Sequence, residues 1–493
     1  MNFQIIFYII GYVMKIEGIL MAFPFVTGLI YREKAAWTYL ICGAAIALCG
    51  ILITLKKPKN QTFYAKEGFT SVALSWIALS LFGCIPFVVC GDIPQFVDAF
   101  FETVSGFTTT GASILTNVEA LSKASLLWRS FSHWIGGMGV LVFILSVLPL
   151  TGGSTMHLMR AESPGPQVDK IVPRIRDTSI ILYVIYTVIT IAEIILLVCF
   201  KMPLFDAITL SFGSAGTGGF VVRSSGFADY PAACQYIIAI FVILFGVNFN
   251  VYFLLIRRHF RQALKHEEAR WFGIIITAST LLIFINTLNV YATAEEAFRH
   301  AFFQVGSIIT TTGYATTDFN ALYPALSQGI LVLLMFFGAC AGSTGGGIKI
   351  SRIVIMVKSA FNEIAHIIHP RTVKKIRMEG KVVESGTLRS INTFLIAYAI
   401  IFVGSMLVVS LDGFDFTTNF TGVTATINNI GPGLGKVGPM GNFSEYSILS
   451  KLAFSFNMLA GRLEIFPMLV LLSPEIWASP FKARRRKKRL KSN

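Results

Sequence analysis

Residues 98–111 read DAFFETVSGFTTTG, and a phrase of the same length and shape returns three times further along the chain. Residues 206–219 read DAITLSFGSAGTGG and residues 300–313 read HAFFQVGSIITTTG, and both align with the first copy without a gap. Residues 418–431, TNFTGVTATINNIG, form a fourth copy; its first half has drifted, so it is placed by its position and its terminal Gly. The ends of the copies line up as TTTG, GTGG, TTTG and NNIG. A single TTTG is a turn after a helix, but four in the same place between apolar runs are an internal repeat, and repeats are read before anything else.

Each copy opens on helix-compatible, moderately apolar residues and closes on small polar residues and a Gly, where the backbone leaves a helix at little steric cost. The phrase predicts a short helix followed by an extended strand. Four such units around one axis form rings of carbonyl oxygens that replace the water shell of a bare cation. Helices aimed inward by their C-terminal ends add partial negative charge at the same point.

The composition sets the surroundings of that unit. Of 493 residues, 54% are hydrophobic and 14% charged, outside the range of ordinary soluble domains, and many apolar runs are long enough to span a bilayer. The net charge of +15 gathers in the short segments between apolar runs, which is the positive-inside pattern of membrane proteins and not a nucleic-acid surface. The seven cysteines lie in or beside apolar runs without CxxC or Cys/His metal spacing and read as small core residues. The apolar N-terminus lacks a basic n-region and an AxA-type cleavage site, so it reads as a retained first span.

The chain then divides in order. Residues 1–67 form a leading transmembrane hairpin, with apolar runs at about 3–30 and 36–55 joined by YREK. Four units of span, filter phrase, span and basic loop follow at 68–177, 178–271, 272–390 and 391–480, and 481–493 is a basic tail. The spans are expected near 69–90 and 128–150, 178–200 and 232–256, 272–291 and 325–356, and 391–411 and 448–472. The fold class is therefore an all-α polytopic membrane protein of about ten transmembrane helices, with four pseudo-symmetric helix–pore loop–helix repeats around one pore plus the N-terminal hairpin.

Every basic stretch follows a second span: Arg160, Lys170, Arg174 and Arg176; RRHFRQALKHEEAR at 257–270; Lys358, Arg371, Lys374, Lys375, Arg377 and Lys381; and KARRRKKRLK at 482–491. This puts the loops and both termini in the cytoplasm and has every filter phrase dip in from outside; Arg32 and Lys34 in the hairpin turn run against the rule. The tail reads as a solvated stop-transfer segment near anionic lipid or as a docking site for a partner.

The second span of the third unit, 325–356, is about 32 residues, roughly 48 Å as one helix, against a hydrocarbon core of roughly 30 Å. AGSTGGG at 341–347 breaks it, and irregular backbone at membrane depth survives only when buried in protein or lining a watery cavity. Three consecutive Gly exceed what a close-packing surface requires, so Gly342, Ser343, Thr344, Gly345, Gly346 and Gly347 read as a flexible gating loop beneath the filter. Two charges accompany it. Arg462, near the middle of the last span, either donates to carbonyls of the broken loop or places a positive barrier below the filter. Glu464, two residues away on another helix face, is a poor partner for it. Lys349 either belongs to the gate or snorkels to the cytoplasmic surface. His133 reads as a structural interfacial residue.

With span, pore loop and span repeated four times, and with TTTGA, GTGGF, TTTGY and NNIGPG, the chain resembles the potassium transporter superfamily that includes the bacterial Trk and Ktr membrane subunits and their fungal and plant relatives. The leading hairpin is similar to the TrkH branch. SHWIGGMG at 132–139, GACAGSTGGGIK at 338–349 and AGRLEIF at 460–466 extend the likeness over almost the whole chain. The resemblance implies one filter Gly per repeat, here Gly111, Gly219, Gly313 and Gly431, carried on Thr109–Thr110, Thr217–Gly218, Thr311–Thr312 and Asn429–Ile430. In the second repeat the choice lies between Gly218 and Gly219, and the gapless alignment favours Gly219. Relatives with Ser at the first filter position favour sodium, so Gly111 implies a potassium-selective path. The resemblance further implies an intramembrane gate at 342–347 with Arg462, potassium as the transported ion without a cofactor, a homodimer, a separate cytoplasmic nucleotide-binding subunit of TrkA type, and a bacterial cytoplasmic membrane location.

Nothing in the sequence supplies a nucleophile elbow, P-loop, HExxH or paired intramembrane Asp, which leaves an intramembrane enzyme without a constellation. The competing reading is a sodium- or proton-coupled secondary transporter built on inverted repeats; the four units here run in one orientation.

Overall fold

Six helices among the described residues are long and apolar enough to cross a membrane: Phe3–Ile30, Ala35–Thr54, Ala65–Cys90, Ser179–Cys199, Glu267–Thr287 and Ser385–Asp412. They are the two arms of the leading hairpin and the first span of each of the four units. The computed structural model describes residues 1–58, 65–139, 175–371 and 375–477. The basic residues Arg160, Lys170, Arg174 and Lys374, the end of the 128–150 span and the basic tail lie outside them. The architecture is that of a polytopic all-α membrane protein, to which the structure adds one two-stranded hairpin, Arg377–Met378 with Lys381–Val382.

The leading hairpin is zipped by glycines seven residues apart. A Cβ on Gly18 would lie 2.4 Å from the Gly43 carbonyl oxygen, and one on Gly50 2.6 Å from that of Gly11, so only bare backbone permits this approach between membrane helices. The hairpin turn also reaches the first unit. Glu33 accepts the backbone N–H groups of Lys123 and Ala124 at 2.8 and 3.1 Å, capping the helix Lys123–Gly137 with a charge that suits its N-terminus.

Between the spans sit four short helices, Phe96–Phe107, Leu204–Gly216, Ala294–Ile309 and Phe416–Ile427. Their outer ends carry the polar residues that a helix N-terminus favours: Asp98, Asp206, Glu295 and Glu296 in first turns, and Asp415 and Thr293 as caps. Their C-terminal halves are buried and carry the filter phrases.

Among the described residues, the second spans of the second, third and fourth units break. In the second unit Ala232–Gly246 and Phe249–Ile256 meet at a bend of 92°, and in the fourth Ile448–Arg462 gives way to Phe466–Leu472 through Glu464 and Ile465, both at positive φ. The spans expected near 232–256 and 448–472 are therefore each made of two helices. The reason is tertiary: Asn248 caps the second half-helix, and the Phe249 N–H donates to the Gly342 carbonyl, so this backbone is used by the neighbouring loop. In the third unit Ala325–Phe336 and Ile350–Ile368 are separated by residues 337–349, a wider break than AGSTGGG itself.

Candidate functional site

The four short helices end in the same turn. Thr109, Thr217, Thr311 and Asn429 each adopt a left-handed conformation, at φ 53°, 53°, 61° and 56°, and two residues later Gly111, Gly219, Gly313 and Gly431 do so at φ 78°, 86°, 78° and 98°. In each, the left-handed residue donates its N–H three residues back and the next residue five back, as in Thr109 to Gly106 and Thr110 to Ser105, which is the Schellman closure of a helix. Gly or Asn is the usual occupant, and a β-branched Thr there costs about 1–3 kcal/mol. Three of the four repeats accept that strain.

The glycines close into a ring. A Cβ on Gly111 would lie 2.2 Å from the Gly218 carbonyl oxygen, on Gly219 2.1 Å from that of Thr312, on Gly313 1.8 Å from that of Ile430, and on Gly431 2.7 Å from that of Thr110. Each repeat thus lays a glycine against the carbonyl before the next repeat's glycine, and the fourth returns to the first. Gly219, not Gly218, holds the equivalent position in the second repeat. Asn429 adds a side-chain link, its Nδ2 donating to Thr110 Oγ1 and to the Met458 carbonyl, both at 2.9 Å.

The departure of the second repeat, GTGG, has a visible cause. His133 is fully buried and stacks on Phe220 at 4.3 Å between ring centroids; a Cβ on Gly218 would sit 2.2 Å from His133 Cγ, and one on Gly216 2.2 Å from the His133 carbonyl oxygen. The imidazole takes the volume that Thr side chains fill in the first and third repeats, so His133 belongs behind the filter phrase and not at an interface.

On one side of the ring an open cavity is lined by all four glycines together with Ser113, Arg129, Val221 and Pro432. Arg129, 2% exposed, pairs with Glu102 at 2.7 Å and donates to the Val221 carbonyl at 3.3 Å. Glu102 in turn accepts from the Ser113 hydroxyl and the Ile114 N–H at 2.9 and 3.0 Å. This pair clips the segments after the first and second glycines together. Near the rim, the N–H and hydroxyl of Ser224 hold the Glu119 carboxyl below its ordinary range. Sequence reading missed the clip, although a charge within an apolar span, Arg129, was its signal.

On the other side lies the interrupted segment. Ser343, Thr344, Gly345 and Gly346 are buried, Gly347 is half-buried and Gly342 exposed. The Gly346 N–H donates to Thr311 Oγ1 at 2.7 Å, and Gly345 and Gly346 rest on the Thr310 and Asn428 carbonyls. Lys349 is 1% exposed; its Nζ donates to the carbonyls of Gly345 and, at 3.1 Å, Gly346, so it does not snorkel. Arg462 donates to the Thr344 carbonyl at 2.8 Å and to those of Gly136 and Gly137 at 2.5 and 2.8 Å, spanning from the fourth repeat to the loop and the first. Glu464 pairs with Arg352 at the base of the loop.

A membrane protein of four like-oriented repeats whose re-entrant phrases meet in one glycine ring, with a buried loop on one side and an open cavity on the other, has the architecture of a cation pathway. The chain belongs to the TrkH family of cation transport proteins, whose family model matches residues 40–479. It is 37% identical over 489 residues to the Trk system potassium uptake protein TrkH of Salmonella typhimurium, covering 97% of this chain and all of that one, and 34% identical over 491 residues to TrkG of Escherichia coli, covering 97% and 99%. The crystal structure of the potassium transporter TrkH from Vibrio parahaemolyticus superposes with a TM-score of 0.86 at 32% identity over 97% of this chain and all of that one. These relatives are described as transport proteins, none as an enzyme.

Proposed function

We propose that the chain is the pore-forming subunit of a Trk-type system and takes up potassium ions across the bacterial cytoplasmic membrane, with both termini in the cytoplasm. The observation that carries this reading is the closed ring of Gly111, Gly219, Gly313 and Gly431 against the carbonyls of Gly218, Thr312, Ile430 and Thr110. Backbone oxygens held at fixed spacing replace the hydration shell of a cation, and four helix C-termini supply negative potential at the same level. The relatives' description as potassium uptake proteins supports potassium as the ion, which moves through as cargo with no cofactor.

Gly342, Ser343, Thr344, Gly345, Gly346 and Gly347 obstruct the path below the filter, and Lys349 and Arg462 hold them there. A homodimer, and control by a cytoplasmic nucleotide-binding subunit of TrkA type, complete the proposal. Its test is growth and uptake: expressed in a strain lacking its own potassium systems, the chain restores growth on low potassium and takes up potassium in preference to sodium. Equal uptake of both ions, or none, contradicts it.

A further inference from the structure

The backbone on either side of residues 342–347 hangs on one carboxylate, carried by the first span of the same unit. Glu268, 3% exposed on the helix Glu267–Thr287, uses its Oε1 to accept the N–H groups of Ala341 at 2.8 Å and Ser351 at 2.9 Å. These residues bracket the buried loop, so a single oxygen ties the backbone just before residues 342–347 to the first turn of the half-helix Ile350–Ile368 that follows. Hydrogen bonds to a charged acceptor are about twice as strong as neutral ones.

Glu268 is itself positioned from outside the spans. The helix that carries it begins at Glu267, and the carboxylate of Glu379 caps that beginning, accepting the N–H of Glu267 on Oε2 and of Glu268 on Oε1, each at 3.0 Å. The bond is returned by the Glu379 N–H to Glu267 Oε2 at 3.2 Å. Glu379 and Gly380 form the turn of the two-stranded hairpin at φ 52° and 75°, a mirror-image turn in which Asn, Asp or Gly is the usual first residue. A Glu held there bears strain, and its carboxylate has a task that the turn does not need. A cavity lined by Asn248, His266, Glu268, Ala341, Ser351 and Glu379 among others separates hairpin from loop and leaves room for the two to shift.

We infer that Glu268 is the positioning residue of the interrupted loop, and that the Arg377–Val382 hairpin, through Glu379, is the lever by which an event outside the membrane reaches it. This deepens the gating reading above and rests on it only for the consequence to flux. When the hairpin is pulled, the cap on Glu267 and Glu268 loosens, the carboxylate withdraws, and Ala341 and Ser351 lose their common anchor.

The test uses the full chain with Cys340, buried beside Ala341, as the one remaining thiol, the other six cysteines being replaced. Labelling by a methanethiosulfonate reagent and potassium flux are measured in vesicles for E268A, E268Q, E268D, E379A and a chain shortened within 342–347. E268A should label Cys340 on the order of tenfold faster or more, since two charge-assisted bonds are lost. E268Q keeps an acceptor oxygen without the charge and should label between the parent and E268A. E268D, too short to reach both amides, should label faster than the parent and carries the test if E268A fails to reach the membrane; E379A should lie between E268Q and E268A.

Unchanged labelling in E268A or E268D, while the shortened loop still raises flux, overturns the inference and leaves gating intact. Faster labelling with no change in flux, in these variants or the shortened chain, sinks the gating reading and leaves Glu268 as the loop's anchor. Parent-like E379A beside a fast E268A overturns the hairpin's part.

Discussion

Gly218 and His133 are two halves of one fit. With 2.2 Å between a Cβ at 218 and the imidazole Cγ, Gly218→Ala should cost about 1–3 kcal/mol or more by overpacking and distort the carbonyl that faces Gly111. His133→Ala removes the ring atoms, so the double variant should regain part of the thermal stability lost by Gly218→Ala alone; a double variant no better than the single one contradicts the fit. This pairing was illegible in the sequence, because His133 and Gly218 are far apart in the chain and only the packing of the helix Lys123–Gly137 brings them together. The choice of Gly219 over Gly218 was legible, since the gapless repeat already put it in register. The Glu102–Arg129 pair makes a second prediction at this scale. Arg129→Met leaves a buried carboxylate without its cation, which costs about 3–5 kcal/mol, while Glu102→Gln with Arg129→Met should cost less than the sum of the two. Thermal melts of the three purified variants check it, and strict additivity contradicts it.

At the scale of elements, the second spans behave differently from the first. The break at 337–349 could be read from a run too long for a bilayer with Gly at its centre. Those at 246–249 and 462–466 could not, because 232–256 and 448–472 have ordinary span length and their interruptions come from contacts with other units. The break in the third unit carries the gating prediction. Shortening residues 342–347 while keeping the half-helices should raise potassium flux in vesicles with selectivity nearly unchanged. Replacing Arg462 by Gln frees the Thr344, Gly136 and Gly137 carbonyls and should act in the same direction. The combination should be less than additive, since contacting groups couple. A shortened loop that lowers flux, or that changes selectivity as much as rate, means that the segment supports the filter and does not gate it.

As a whole, the molecule is four copies of one unit made unequal. The ring is nearly fourfold, but His133 fills the second repeat, Asn429 replaces Thr in the fourth, and among the described residues the long interrupted segment belongs to the third. The repeat, the leading hairpin and the interruption of the third unit were legible from the phrase, the apolar runs and the length of one of them; the parts played by His133 and Asn429 were not, because each arises where one unit's side chain enters another's space. The central claim is that one backbone ring sets ion choice, and it is tested most directly by the ratio of potassium to sodium flux in vesicles for Ser at positions 111, 219, 313 and 431, one at a time. At each, a Cβ meets a carbonyl oxygen of the next repeat at 2.7 Å or less. The account predicts that every one of the four lowers the ratio, with protein still folded in the membrane; a folded variant at any of these positions that keeps the parent's ratio would contradict it.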